Sequence, residues 1–324
     1  MKPSSYGFHN GREIFEYTLK KGGFTAKIIS YGAILTYLSA PDKNGKETPI
    51  VLFRESLEEY VTLRGCYGAT IGRFANRIEN GRFALGGKTY QVGQNEKGNA
   101  LHGGIEGFHK KVWTVENYTE DTLTLSYISP DGEEGFPAEM KATIVYTLTE
   151  AGLELAYTAV ADGDTVVNLT NHAYFNPNGV TAATDGLLLS IAADSITPTD
   201  EKLIPHGEYA AVEGTLYDFR TARPFVCDLS ASPVLSARGC YDENFVLQGE
   251  GFRAVSTLYG KETGILLTVY TDMPGMQIYT GNKNGIALET QRFPNCVNCP
   301  TYPSAFLKKG EVFQTKTLYA LSLQ

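Results

Sequence analysis

The stretch Ala142-Thr143-Ile144-Val145-Tyr146-Thr147-Leu148, broken by Glu150-Ala151-Gly152 and resumed as Leu153-Glu154-Leu155-Ala156-Tyr157-Thr158-Ala159-Val160, reads as a β-hairpin. Both arms alternate and are rich in β-branched and aromatic residues, and the break between them carries a glycine. The same texture recurs at Thr25 to Leu38, Thr122 to Ile128, Leu187 to Ala192 and Ile265 to Tyr270. Gly86-Gly87 and Asn284-Gly285 mark further short turns. Only Ser56 to Leu63 passes as a helical window. The 34 glycines and 20 tyrosines point the same way, since turns use the first and pleated surfaces accommodate the second. The expectation is all-β: a large antiparallel β-sandwich, big enough to use 324 residues. No Pro/Ser-rich linker, shift in composition or fixed-period repeat divides the chain, so residues 1–324 are expected to form a single domain.

Charge and apolar content narrow the function classes. Lys and Arg number 28 against 36 Asp and Glu, a formal net charge of −8 with no basic block. That balance argues against a nucleic-acid or acidic-membrane partner. No apolar run approaches the roughly 18 residues of a spanning helix. The opening Met1-Lys2-Pro3-Ser4-Ser5 lacks the apolar core of a signal peptide, which leads one to expect a cytoplasmic protein. The five cysteines (66, 227, 240, 296, 299) are too few and odd in number for a disulfide framework. Cys296-Val297-Asn298-Cys299 has metal or redox spacing, yet it lacks a second ligand pair and lies in an Asn/Pro-rich loop rather than opening a helix. No metal site is expected.

Polar clusters interrupt the strands. In Asn168-Leu169-Thr170-Asn171-His172-Ala173-Tyr174-Phe175-Asn176, strand alternation places Asn168, Thr170, His172 and Tyr174 on one face. Hydrogen-bonding groups beside an aromatic ring suit a polyhydroxylated ligand; the plain alternative is a solvent-facing strand that carries a histidine. In Ile286-Ala287-Leu288-Glu289-Thr290-Gln291, Glu289 shares a face with the small Ala287, which leaves room for a ligand, and with Gln291, which would orient it. The alternative there is an exposed Glu near a strand end. Leu101-His102-Gly103-Gly104 lets the backbone come close to whatever His102 touches. Gly72-Arg73-Phe74-Ala75-Asn76-Arg77-Ile78 offers many donors, including the Arg fork that fits vicinal oxygens, unless it is a solvated loop. Tyr241-Asp242-Glu243-Asn244-Phe245 and Pro274-Gly275-Met276-Gln277-Ile278-Tyr279-Thr280-Gly281-Asn282 add polar residues on strand-like frames.

Together these motifs, in this order, resemble the aldose 1-epimerase (galactose mutarotase) family, from about Gly32 almost to the C-terminus. The resemblance implies the family's supersandwich of β-sheets, a sugar bound in an open cleft, and cofactor-free interconversion of α and β anomers of a hexose such as galactose or glucose. It implies His172 as general acid and Glu289 as general base. Asn76, Arg77, His102, Asp242 and Gln277 would hold and polarise the sugar, with Tyr174 a further contact. Glu243 stands where the family often has His, and Lys309 where Pro often precedes Gly310-Glu311; such departures bear on sugar preference.

The chemistry needs these residue types. Opening a pyranose hemiacetal takes the proton from the C1 hydroxyl and gives one to the ring oxygen O5; rotation about C1–C2 and closure yield the other anomer. With reference values of about 4.3 for Glu and 6.5 for His, the expectation is a carboxylate base, a protonated imidazole acid and a bell or plateau around neutral pH. The alternatives are a non-catalytic sugar binder, a hydrolase using Asp242 and Glu289, and an epimerase of phosphorylated hexoses, for which no basic cluster is assignable. The protein would be a monomer or homodimer with a small aldose as its partner.

Overall fold

The structure is a computed structural model that describes every residue except Met1, Cys227 and Asp228. The deciding hairpin forms as read. Met140–Thr149 pairs antiparallel with Gly152–Ala161 in unbroken register, Ile144 opposite Tyr157 and Tyr146 opposite Leu155. Alternation sends Ala142, Ile144, Tyr146 and Leu148 inward, each buried, and leaves Lys141 in solvent. These strands lie in a nine-stranded antiparallel sheet. Its order is Thr114–Tyr118, Thr122–Ser129, Met140–Thr149, Gly152–Ala161, Val312–Leu323, Ile265–Thr271, Arg253–Gly260, Leu187–Ile191, Arg223–Pro224. The last strand of the chain therefore sits in mid-sheet.

Two smaller sheets are tied to one face of the large one. A five-stranded meander, residues 4–49, lies over one part of it. The Tyr146 hydroxyl donates to the Ala33 carbonyl at 2.6 Å and that of Tyr118 to Thr18 at 3.0 Å. A six-stranded sheet lies over another part, ordered Tyr174–Phe175, Gly285–Gln291, Gly275–Asn282, Asp242–Leu247, Ala193–Thr197, Ala210–Ala211. Here the Phe175 and Tyr319 rings meet at 4.6 Å, and the hydroxyls of Thr290 and Thr317 share a hydrogen bond at 2.5 Å. One apolar cluster runs through all three sheets, joining Leu19, Ile28 and Leu38 to Ile144, Leu155 and Tyr319 and to Phe245, Ile278 and Leu288. Each such large side chain adds roughly 1.5–3 kcal/mol on leaving water. This is the large antiparallel β-sandwich expected.

Local differences have local causes. The run Thr25 to Leu38 is two strands, Phe24–Ile29 and Ile34–Pro41, because Gly32 and Ala33 adopt positive φ of 63° and 44° between them. The helix expected at Ser56–Leu63 is Leu57–Thr62, with the Ser56 hydroxyl accepting the Glu59 N–H. A second short helix, Pro233–Arg238, was not anticipated. The stretch 168–176 is not one strand. Thr170–Asn171 pairs with Thr70–Ile71, and Tyr174–Phe175 turns away to pair with Gly285–Gln291. Among the described residues no helix is long and apolar enough to cross a membrane.

Candidate active site

The outer face of the six-stranded sheet carries the polar residues. Register sets Asp242 opposite Tyr279, Asn244 opposite Gln277, and Gln277 opposite Glu289. Directly opposed residues point to the same side, so Asp242, Gln277 and Glu289 share one face. Phe245, Ile278 and Leu288 take the other, against the main core. The face is itself covered: every residue of Gly285–Gln291 is buried, and Glu289 is 1% exposed. The solvent-facing alternatives for His172 and Glu289 are thereby excluded, since all of 168–176 is buried as well.

Over this face lie two loops. His172 is held by its backbone, its N–H donating to Ala69 O and its carbonyl accepting Gly68 N–H, both at 2.9 Å. Asn171 reinforces the bend by accepting the Ala173 N–H and donating to Gly68 O. Asn168, expected on the ligand-facing side, instead braces chain segments; its amide donates to Ala75 O and Arg292 O and accepts the Arg292 N–H. Thr170 is likewise buried in the structure rather than lining the cavity. The second loop brings Asn76 and His102 together. Asn76 sits at φ 65° and His102 at φ 53°. The Asn76 N–H donates to His102 Nδ1 at 3.2 Å and the His102 N–H to Asn76 O at 3.0 Å. Gly103 follows at φ 88°, and a Cβ there would lie 2.0 Å from Gly72 O. The close approach that the glycine permits is thus to the chain itself. The 72–78 segment is no solvated loop: Arg73 is fully buried and donates to the carbonyls of Ser129, Pro137 and Ala138.

These loops and the sheet enclose a cavity of about 410 Å³ lined by Asn76, Arg77, His102, His172, Asp242 and Glu289. His172 Nε2 lies 3.6 Å from Glu289 Oε1, outside hydrogen-bonding range but adjacent. The His102 ring meets His172 edge-on at 5.3 Å. Arg77 reaches Asp242 at 3.7 Å on one side and Glu96 at 3.3 Å on the other. The two remaining sequence-derived residues stand behind this lining. Gln277 donates to Asp242 Oδ1 at 2.6 Å, and Tyr174, 3% exposed, packs its ring 5.0 Å from His172. Gln291 makes no hydrogen bond to Glu289; neither of its amide atoms has a partner among the described residues. Glu96, Leu203, Arg238 and Tyr279 also line the cavity and were not singled out from sequence.

Burial reshapes the ionisation. It pushes the Glu289 carboxyl well above its usual range, helped by the nearby Asp242 charge and opposed by Arg77. It depresses His172 to about 4 and His102 well below its ordinary value. Burial thus works against the charge-separated carboxylate–imidazolium pair that reference values suggest, and towards a carboxyl beside a neutral imidazole.

His102, His172 and Glu289 each bring a ligand atom within 4.8 Å of the others. They do not suit an ion. His102 Nδ1 is engaged by the Asn76 N–H, which assigns the hydrogen of the neutral ring to Nε2 and leaves no lone pair for a metal. Cys296 and Cys299 are buried free thiols packed with Phe74, Phe293 and Tyr302. Cys66 and Cys240 are also free, and Cys227 lies outside the described residues.

Comparison with known proteins agrees with this architecture. Residues 16–320 match the family model for aldose 1-epimerase. The chain is 38% identical to galactose mutarotase of Mus musculus, over 97% of this chain and 95% of the mouse protein. It is 33% identical to aldose 1-epimerase of Escherichia coli K12, over 92% of each. The crystal structure of galactose 1-epimerase from Lactobacillus acidophilus superposes with a TM-score of 0.88 at 26% identity, covering 99% of this chain and 98% of that one. The chain belongs to the aldose 1-epimerase family.

Proposed function

We propose that this protein interconverts the α and β anomers of a free hexose of the galactose or glucose type, with Glu289 and His172 as the proton-transfer pair. The observation that carries the reading is the 3.6 Å approach of His172 Nε2 to Glu289 Oε1 on the wall of a sugar-sized cavity. O1 and O5 are bonded to the same carbon, so two adjacent side chains reach one oxygen each.

The protons balance. Ring opening transfers the O1 proton to Glu289 while His172 gives a proton to O5, and the C1–O5 bond breaks to leave an aldehyde. The pair starts as carboxylate and imidazolium and ends as carboxylic acid and imidazole, holding one proton throughout. Closure on the other carbonyl face reverses both transfers. Burial favours the neutral arrangement, which is the partner of the open-chain sugar, so the cleft stabilises the intermediate relative to its charge-separated neighbours. Rotation about C1–C2 between opening and closure completes the exchange, and the scheme uses no cofactor.

Sugar hydroxyls would be held by the His102 Nε2–H, the Arg77 guanidinium, the Asp242 carboxylate and Asn76. Gln277 acts through Asp242, and Tyr174 braces the His172 ring. The chain works as one unit over residues 1–324, on a small neutral aldose rather than a nucleic acid or a membrane.

Polarimetry on freshly dissolved α-D-galactose and α-D-glucose tests the activity. Faster approach to the equilibrium rotation is expected. Binding without acceleration would mean a sugar-binding protein, and new reducing ends from an oligosaccharide a hydrolase.

A further inference from the structure

Glu243 is a buried carboxylate, 2% exposed, with no part in the proton transfers. Its Oε2 accepts the Asp242 N–H at 2.9 Å. Its Oε1 takes the Arg238 guanidinium and the Tyr217 hydroxyl. Arg238 comes from the end of the short helix Pro233–Arg238. Its Nη1 also donates to the Asp242 carbonyl at 3.1 Å, and its Nη2 to Thr199 Oγ1 at 3.3 Å. These three bonds engage three of the five N–H hydrogens of a guanidinium. The side chain is held in place without being used up.

Its position gives that restraint a purpose. Arg238 lines the catalytic cavity, and with Leu203 it also lines an adjoining cavity of about 420 Å³. His172 and Glu289 line only the first. The acid and base thus mark the C1 end of a bound sugar, and Arg238 stands where the first cavity meets the second.

We propose that Arg238 is a specificity-determining residue that donates to sugar hydroxyls on the side away from C1, and that Glu243 is the positioning residue that presents it. The inference rests on the mutarotase reading and deepens it. A charged donor in a partly desolvated wall discriminates strongly between a hydroxyl that accepts its N–H and one that is absent or turned away. Galactose and glucose differ only in the configuration at C4, so a contact to the C4 hydroxyl would make this residue set the preference between them.

The test measures kcat and KM for D-galactose and for its 2-deoxy, 4-deoxy and 6-deoxy forms, in wild type, R238M, R238K, E243Q and the R238M/E243Q double variant. R238M is expected to raise the galactose KM about tenfold with kcat within twofold. The 2-deoxy sugar should suffer the same loss, whereas the 4-deoxy or the 6-deoxy sugar should lose less than twofold, its contact being already missing. R238K keeps Glu243 paired and covers a folding failure of R238M; it should raise KM at least threefold. E243Q should raise KM in wild type and add nothing to R238M. An unchanged galactose KM in R238M, or in R238K should R238M not fold, overturns the proposal. So does an equal loss on all four sugars, or a fall in kcat that matches the fall in kcat/KM. If wild type accelerates none of the four, the mutarotase reading fails and takes the proposal with it, a result distinct from a selective failure of the Arg238 variants.

Discussion

Glu289 and His172 have opposite perturbations with one cause, and that sets the pH behaviour. The proposed scheme needs one proton on the pair. Below about 4 His172 gains the second proton, and the alkaline limb waits on a Glu289 that burial has raised. In kcat/KM the acid limb is expected near pH 4 and the alkaline limb well above the ordinary carboxyl range; an acid limb near pH 6.5 would mean that His172 keeps its ordinary value. Stability follows the same linkage. Between the unfolded carboxyl value of about 4.3 and the raised folded one, native protein holds a proton that unfolded chain lacks. Stability conferred by this group therefore falls as pH rises, by about 1.4 kcal/mol per pH unit within that window. His172 runs the other way, its contribution being lost as pH falls from about 6.5 towards its folded value. Glu289→Gln removes the first slope, so its melting temperature should gain on wild type as pH rises above about 4.3, while activity is lost. The selection of Glu289 and His172 as the candidate pair rests on motif and alternation. Their charge states were not legible in the sequence, because ionisation depends on how much of the rest of the chain covers them.

Elements were legible where one face meets solvent, as in Met140–Thr149, and obscure where both faces are covered. The nine buried residues 168–176 show alternation that implies a continuous strand, but nothing in them announces the bend at His172 and Ala173. The short helix Pro233–Arg238 did carry a signal: Ser232 caps it, Pro233 opens it and Gly239 closes it at φ 73°. Two braces define how the loops hold the site. Asn168→Ala should destabilise the protein by about 3 kcal/mol, since it strands buried partners at Ala75 and Arg292; urea unfolding measures this. Gly103→Ala forces a Cβ against Gly72 O in a left-handed backbone. It should lower both the melting temperature and kcat/KM, since His102 is the preceding residue.

Across the whole molecule, the all-β class and large sandwich followed from strand texture, glycine and tyrosine content and chain length. The order of strands did not, because pairing between distant segments leaves no local mark. Val312–Leu323 shows this best, entering the large sheet between Gly152–Ala161 and Ile265–Thr271 at the far end of the chain. Removing residues 312–324 opens the centre of that sheet and exposes two long strand edges. The truncated chain should fail to give a soluble protein with a cooperative thermal transition, whereas a cooperative melt would show that the sheet closes without it.

The proton pair is tested most directly by polarimetric mutarotation of α-D-galactose, run side by side on wild type, Glu289→Gln and His172→Asn, with circular dichroism to confirm folding. Each variant should lose at least a hundredfold in kcat, within the range of about 10²–10⁴ for a positioned acid or base. A folded variant of either residue that turned over galactose at the wild-type rate would contradict the assignment.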